Sequence, residues 1–313
     1  MKKRNLKQVF LPLLTAFIWG SSFVAQSLSV GHLGAFTFNM ARSFAAVAAL
    51  GLMLLILRLK NGDTRSAEEK RTERKDLLIG GICCGVFLTL GSNLQQLGIE
   101  QTAAGKAGFI TALYVVLVPL FGLFFRKRVA PQVWASVVIA VVGLYYLCMD
   151  GTSGFSFNGG DFYVLLCAFA FTGQILCVDH FVQKVDGIKL SCVQFIVMTV
   201  LSAIVALVRG EPVSLGAITE CLPYILYVGV LSGGVAYTLQ ILAQKDGDPT
   251  VVSLLLSLES FFAVVSGAII LHERLSGREY LGCALMLAAV FLSQLPEKRA
   301  KPVEKLRIRT LRR

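Results

Sequence analysis

Apolar residues along this chain gather into blocks of about twenty, with polar residues between them. That length matches the roughly 20 residues a helix needs to cross a bilayer. Read in order, the blocks predict helices over 9–30, 36–57, 77–97, 104–125, 131–149, 161–183, 190–208, 222–244, 250–271 and 279–295. Turn formers and charges separate them, as in "RLKNGDTRSAEEKRTERK", "FRKRVAP", "MDGTSGFSFNGGD" and "RGEPVS". The pattern predicts an all-α polytopic membrane protein with ten transmembrane helices. The first block follows the basic start "MKKR". It outruns the roughly 7–15 apolar residues of a signal peptide, so it is expected to persist as the first helix.

Composition sharpens this picture. Of 313 residues, 55% are hydrophobic and 16% charged, with a mean hydropathy of +0.70. A soluble domain carries roughly a quarter charged residues, so a water-soluble globule is excluded. The net charge of +11 comes from short basic patches between apolar runs. Nucleic-acid binding would need them on one folded face, so no nucleic-acid partner is expected. Placing the N-terminus in the cytoplasm puts 25 of the 30 Lys and Arg residues on that side. The positive-inside rule then predicts a multi-pass protein of the cell membrane with both termini cytoplasmic. The eight cysteines form no CxxC pair and mostly sit in apolar runs. They read as small buried hydrophobes, so neither a metal site nor a disulfide framework is expected.

The chain also resembles itself. A shift of 146 lays Phe124–Leu147 over Ile269–Ser293, matching Trp134 to Tyr280. A shift of 152 lays Ala16–Gln26 over Ala168–Val178, and a shift of 145 puts Gln95 on Gln240. The expected organisation is therefore a first repeat (1–150), a second (151–296) and a basic cytoplasmic tail (297–313). Five helices per repeat is an odd number, so the second half enters from the opposite side. Inverted repeats of this kind build secondary transporters, with the substrate site between the halves near the midplane. Each third helix also carries spaced glycines, Gly81/Gly85 and Gly229/Gly233. Such spacing lets helix backbones approach closely.

Helical spacing decides which polar residues share a face. Trp19, Ser22 and Gln26 fall on one stripe of the first helix, and their repeat counterparts Phe171 and Gln174 keep the aromatic-then-polar order. The eighth helix offers Tyr237, Gln240 and Gln244, the third Asn93 and Gln96 (and separately Ser92 and Gln95), and the fourth Thr111 and Tyr114. The ninth carries Thr250, Ser253, Ser257 and Ser260. Single Ser or Thr residues more often join helices, whereas this many amides and aromatics suits a binding cavity. The candidate substrate-binding set is Trp19, Ser22, Asn93, Gln96, Tyr114, Phe171, Gln174, Tyr237 and Gln240. Glu259 lies near mid-membrane in the ninth helix. A charge there costs a few kcal/mol, so it reads either as a coupling group or as a structural acid bonded to a neighbour. Arg42, in the outer part of the second helix, reads as an anchor that snorkels or meets a carbonyl.

These residues resemble the EamA-type permeases of the drug/metabolite transporter superfamily. The resemblance is carried by "FIWGSSF" (Phe17–Phe23), "NMARS" (Asn39–Ser43) and "LLSLESFFAVVSGAIILHERLSGREYLGCALMLAAVFL" (Leu255–Leu292). It implies ten helices, cytoplasmic termini and alternating-access transport, often export, of amino acids or other small metabolites. The sequence departs from the pattern where Lys127 matches Glu273. A passive facilitator or channel is the main alternative. A membrane enzyme is less favoured, because no HExxH or GxSxG occurs and His32, His180 and His272 lie far apart. No GxxxxGK[ST] loop suggests a nucleotide-driven pump. No cofactor is expected. The expected partners are a small-molecule substrate and the lipid bilayer, with a homodimer as an open alternative.

Overall fold

A computed structural model describes residues 6–61, 67–102, 104–124, 129–148, 158–270 and 276–295. The "HERL" segment, Lys127 and the tail 297–313 lie outside the described residues. The regular elements are helical: α1 (Leu6–Ser29), α2 (Ala35–Asn61), α3 (Ala67–Ile99), α4 (Ala104–Ala112), α5 (Tyr114–Phe124), α6 (Pro131–Cys148) and α7 (Gly159–Phe181). There follow α8 (Gly187–Arg209), α9 (Leu215–Glu220), α10 (Leu222–Leu226), a π-helical stretch (Tyr227–Ala236), α11 (Tyr237–Asp246), α12 (Pro249–Leu256), α13 (Glu259–Ile270) and α14 (Gly277–Gln294). Among the described residues, eight helical runs are long and apolar enough to cross a membrane, and α6 adds a shorter apolar helix. Arg278 and Glu279 sit in the first turn of α14 and shorten its apolar length. Large exposed side chains such as Phe44, Leu52, Val208 and Phe291 are apolar, as expected where the surrounding solvent is lipid.

Helix ends follow the local sequence. Asn158 and Asp161 form a reciprocal capping box at α7, as Ser276 and Glu279 do at α14. Asp186 caps α8 by accepting from the amides of Ile188 and Lys189, and Gly210, at φ +66°, ends that helix. At the start of α2 the capping position is Gly34, which has no side chain to offer. The carboxylate of Glu211 does the work instead, accepting from the amides of Phe36 (3.3 Å) and Thr37 (2.8 Å) and from the Thr37 hydroxyl (2.8 Å). At the other end of the bundle, α3 runs ten residues earlier than its apolar block, because "AEEKRTERKD" is made largely of strong helix formers.

Three blocks that read as continuous helices are interrupted. The 104–125 block breaks at Leu113, between α4 and α5, where amides bond three residues back: Leu113 to Ile110 and Val116 to Leu113. The 250–271 block breaks at Ser257 and Leu258, with the same short bonds from Leu258 to Leu255 and Ser260 to Ser257. The 222–244 block widens into the π-helical stretch, which contains Gly229, Gly233 and Gly234. Its loosened carbonyls find side-chain donors on α1. Ala236 accepts from the Thr15 hydroxyl (3.2 Å) and Ser232 from the Trp19 indole (3.4 Å). Apolar periodicity could not show these breaks, because the residues flanking them are as apolar as those of an unbroken helix.

The packing follows the repeat. Helix α3 lies against α7 and α8, α1 against α13 and the π-helical stretch, and α6 against α14. The spaced glycines sit at contacts. Gly81 and Gly85 face Val193 and Val197 of α8, while Gly229 and Gly233 face the Arg42 carbonyl, Ala45 and Ala46 of α2. At the α6–α14 contact a Cβ on Gly143 would stand 3.0 Å from the Met286 nitrogen. Helix axes approach that closely only where one side lacks a side chain.

Candidate functional site

Residues from eight of these elements enclose one polar cavity. Helix α1 supplies Trp19, Ser22, Phe23 and Gln26; α2 supplies Arg42 and α3 supplies Gln95. From the other side come Tyr114 of α5, Phe171 and Gln174 of α7, Ser232, Tyr237 and Gln240, and Glu259 of α13. The cavity is small, about 40 Å³. That is room for a few waters, well short of the several hundred Å³ typical of metabolite pockets.

Two interrupted helices meet at its wall. Tyr114 is the first residue of α5 and Glu259 the first of α13. The Tyr114 hydroxyl donates to Glu259 Oε1 at 3.0 Å. At a helix start the amides lack intrahelical partners and the dipole favours negative charge. The break at Ser257–Leu258 therefore places the carboxyl of Glu259 where the fold best tolerates it. Gly20 makes the approach of α1 possible, since a Cβ there would collide with the Glu259 carbonyl and with Phe262.

Aromatic rings and amides make the rest of the lining. Trp19 and Tyr237 pack with ring centres 4.7 Å apart, and Phe195 closes on Tyr237 edge-to-face at 5.3 Å. Gln240 donates to Gln174 (3.1 Å) and Gln244 (3.1 Å), and Gln174 donates to Gln194 (3.2 Å). The ladder ends where Gln244 donates to the Ile175 carbonyl at 2.8 Å. One acceptor, Gln240 Oε1, is buried with no hydrogen-bond partner. A buried amide oxygen left unmatched costs about 1–3 kcal/mol, which an incoming donor can recover.

Arg42 is oriented by a chain of amides. Its Nε donates to Asn39 Oδ1 at 2.5 Å; Asn39 Nδ2 donates to Asn93 Oδ1 (2.9 Å) and the Ser92 carbonyl (3.1 Å). Asn93 Nδ2 then donates to the Ser202 hydroxyl at 3.1 Å. Because guanidinium only donates, this chain fixes which way each amide points. Arg42 is 5% exposed, so it does not snorkel, and it meets a side-chain amide rather than a carbonyl of the backbone. Among the described residues, neither Arg42 nor Glu259 has an ion-pair partner within 4.0 Å.

Trp19, Ser22, Tyr114, Phe171, Gln174, Tyr237, Gln240 and Glu259 all line the cavity. Asn93 and Gln96 do not. Asn93 stands behind Arg42, and Gln96 is buried with its Oε1 unpartnered. The third helix instead turns Gln95 inward, donating to Thr111 at 3.4 Å. The shift of 145 that lays Gln95 on Gln240 carried that signal. The serines of the ninth block bond back to backbone carbonyls: Ser253 to Thr250, Ser257 to Leu254 and Ser260 to Gly108. They join helices. A larger groove of about 830 Å³ opens between α2, α8 and α10, but Thr199 is its one polar side chain among the described residues. It has no chemistry to offer a polar solute. Among the described residues, no three His, Cys, Asp or Glu side chains gather to bind a metal.

The chain is similar to known transporters over most of its length. An uncharacterized transporter of Archaeoglobus fulgidus is 30% identical over 283 residues, covering 90% of this chain and 84% of the relative. The threonine/homoserine exporter RhtA of Salmonella typhimurium is 27% identical, covering 96% of this chain and 97% of the exporter. A protein crystal structure superimposes with a TM-score of 0.73 at 18% identity, covering 91% of this chain and 96% of that one, which supports the fold. The model of the EamA-like transporter family matches twice, over residues 6–149 and 158–295, which suggests duplicated halves. This multi-pass chain belongs to the EamA-like transporter family, a family of membrane transporters and not of enzymes.

Proposed function

We propose that the protein is a secondary transporter that exports small organic metabolites, such as amino acids, across the cell membrane by alternating access. The observation that carries this reading is a polar cavity lined by matched positions of the two halves, Gln95 with Gln240 and Tyr114 with Glu259. In this reading α6 and α14 complete a set of ten spans, the halves are inverted repeats, and both termini face the cytoplasm. A cavity of about 40 Å³ admits no metabolite as it stands, so substrate entry requires its walls to part. The interrupted helices at Leu113 and Ser257–Leu258 and the π-helical stretch supply places to bend. Export and amino-acid cargo are supported by the threonine/homoserine exporters among the relatives. The residues that line the cavity all come from this one chain.

The test is counterflow in proteoliposomes. Vesicles preloaded with unlabelled amino acids and other metabolites are given labelled solute outside. A carrier shows uptake stimulated by the solute on the far side, whereas a passive facilitator shows uptake without that stimulation. No solute moving above the level of empty vesicles would refute the transporter reading.

A further inference from the structure

Matched side chains of the two halves stand in unlike arrangements. The shift of 152 lays Ser22 on Gln174 and Arg42 on Gln194, and the shift of 145 lays Gln95 on Gln240. Arg42 and Gln194 are each the eighth residue of their helices, α2 and α8. In the second half the three glutamines form one ladder, Gln240 donating to Gln174 (3.1 Å) and Gln174 to Gln194 (3.2 Å). Among the described residues, no hydrogen bond joins the three matched residues of the first half. Ser22 donates to the Trp19 carbonyl, Arg42 to Asn39 and Gln95 to Thr111, and all three line the cavity. The ladder is also incomplete, because Gln194 Nε2, a donor, and Gln240 Oε1, an acceptor, are buried without partners. A contact that only holds helices together would have both ends matched, since buried polar groups are nearly all paired. Parting the ladder lets water reach both.

Resting on the inverted-repeat transporter reading above, we propose that the Gln174–Gln194–Gln240 ladder is the shut cytoplasmic gate of the cavity. Ser22, Arg42 and Gln95 are then the matching outer gate, standing apart in this state. In an inverted repeat the two arrangements exchange when the site turns to the other face, so the first-half trio closes as the ladder opens. The bond to Asn39 occupies only Nε of Arg42, leaving its terminal nitrogens for that closure. Guanidinium only donates, so the closed outer gate runs from Arg42 to the Ser22 hydroxyl and on to the Gln95 oxygen. It holds a charge-assisted bond that the all-amide ladder lacks, and such bonds are the stronger kind. The gates are therefore unequal. Arg42 favours the inward-facing state, and the ladder favours the state seen here.

The test reads each gate through one introduced cysteine. Gln26→Cys lies on the cavity wall one turn past Ser22, on the outer side. Ala243→Cys lies one turn past Gln240 on the other side, 1% exposed and packed among Ile175, Val252 and Leu256. Purified protein in nanodiscs offers both faces to a charged thiol reagent, and peptide mass spectrometry separates each site from the native cysteines. Gln26→Cys is expected to react faster than Ala243→Cys. Gln194→Leu should raise the Ala243→Cys rate about fivefold or more, the population shift that one net hydrogen bond supplies. Arg42→Gln should lower that rate by a similar factor from across the cavity, which local loosening of the packing could not do. If Gln194→Leu fails to fold, Gln174→Ser copies the first-half residue and breaks the same ladder. A Gln26→Cys rate no faster than that of Ala243→Cys would overturn the gates. So would an Ala243→Cys rate that both variants leave unchanged or both raise. With counterflow intact, either result leaves the transporter standing. No exchange of any solute would remove the transporter reading and the gates with it.

Discussion

Tyr114 donates to Glu259 at 3.0 Å across 145 positions of sequence, the same offset that lays Gln95 over Gln240. The bond therefore joins equivalent places in the two halves. Each partner is the first residue after a helix break, and the breaks at Leu113 and Leu258 are themselves equivalent. A contact of this kind lies where the halves meet. Any motion that opens the cavity by moving one half against the other must lengthen or rotate it.

Tyr114→Phe removes the hydroxyl and leaves Glu259 buried without its donor. The expected cost is about 1–3 kcal/mol of stability. Glu259→Gln keeps an acceptor for Tyr114 and should melt within about a degree or two of the parent while losing transport, whereas Glu259→Leu strands the tyrosine and should melt lower. Thermal unfolding in detergent beside counterflow separates these outcomes. A Glu259→Gln protein that transports normally would mean the carboxyl acts only as a helix contact.

Glycines of the π-helical stretch should respond in opposite directions. A Cβ on Gly229 would strike the Arg42 carbonyl and Ala45, both fixed parts of α2. Its replacement by Ala should cost about 1–3 kcal/mol by pushing the helices apart. At Gly234 the nearest atom outside its own stretch, Ala49 Cβ, is 3.8 Å away, an ordinary contact. Gly234→Ala should be neutral or stabilising by up to about 1 kcal/mol, since alanine loses less backbone entropy than glycine. Equal melting temperatures for the two variants would show that the close approach at Gly229 is not a constraint.

Much of this was legible because it is dictated by lipid. Apolar block length located the helices, since that pattern is set by what a bilayer demands, and the self-matches suggest the same duplication as the two family matches. The aromatic-then-polar stripes of Trp19/Ser22 and Phe171/Gln174 border the polar cavity. What stayed hidden depends on contacts between helices. The breaks at Leu113 and Ser257 carry no Pro or Gly to announce them. Asn93 and Gln96 share a stripe with each other, and only the neighbouring α2 and α8 decide that Gln95 faces inward instead. Arg42 looked like an anchor because a lone cation in an apolar helix gives no hint of the amide chain behind it.

Orientation has a direct test in reporter fusions. Both termini are expected in the cytoplasm, because that places 25 of 30 basic residues on the inner side. A reporter in the 150–160 loop should be active outside, and one after residue 296 active inside. An externally active tail would mean an odd number of spans, with α6 or α14 failing to cross.

The last prediction concerns the start of α2. The shift of 152 that aligns the halves lays Gly34 on Asp186, the residue that caps α8. In the first half that side chain is missing, and Glu211 reaches over to accept from Phe36 and Thr37 as Asp186 accepts from Ile188 and Lys189. Glu211→Ala should therefore cost about 1 kcal/mol, the usual worth of a capping side chain. Gly34→Asp alone should also destabilise, because its Cβ would meet the Glu211 carboxylate and bring a second negative charge beside it. Combined, the two changes exchange one cap for the other. Gly34→Asp with Glu211→Ala should melt higher than either single variant, a coupling of about 1 kcal/mol or more between residues that share one helix start. Simple addition of the two losses in thermal unfolding would show that Glu211 does not serve as the cap.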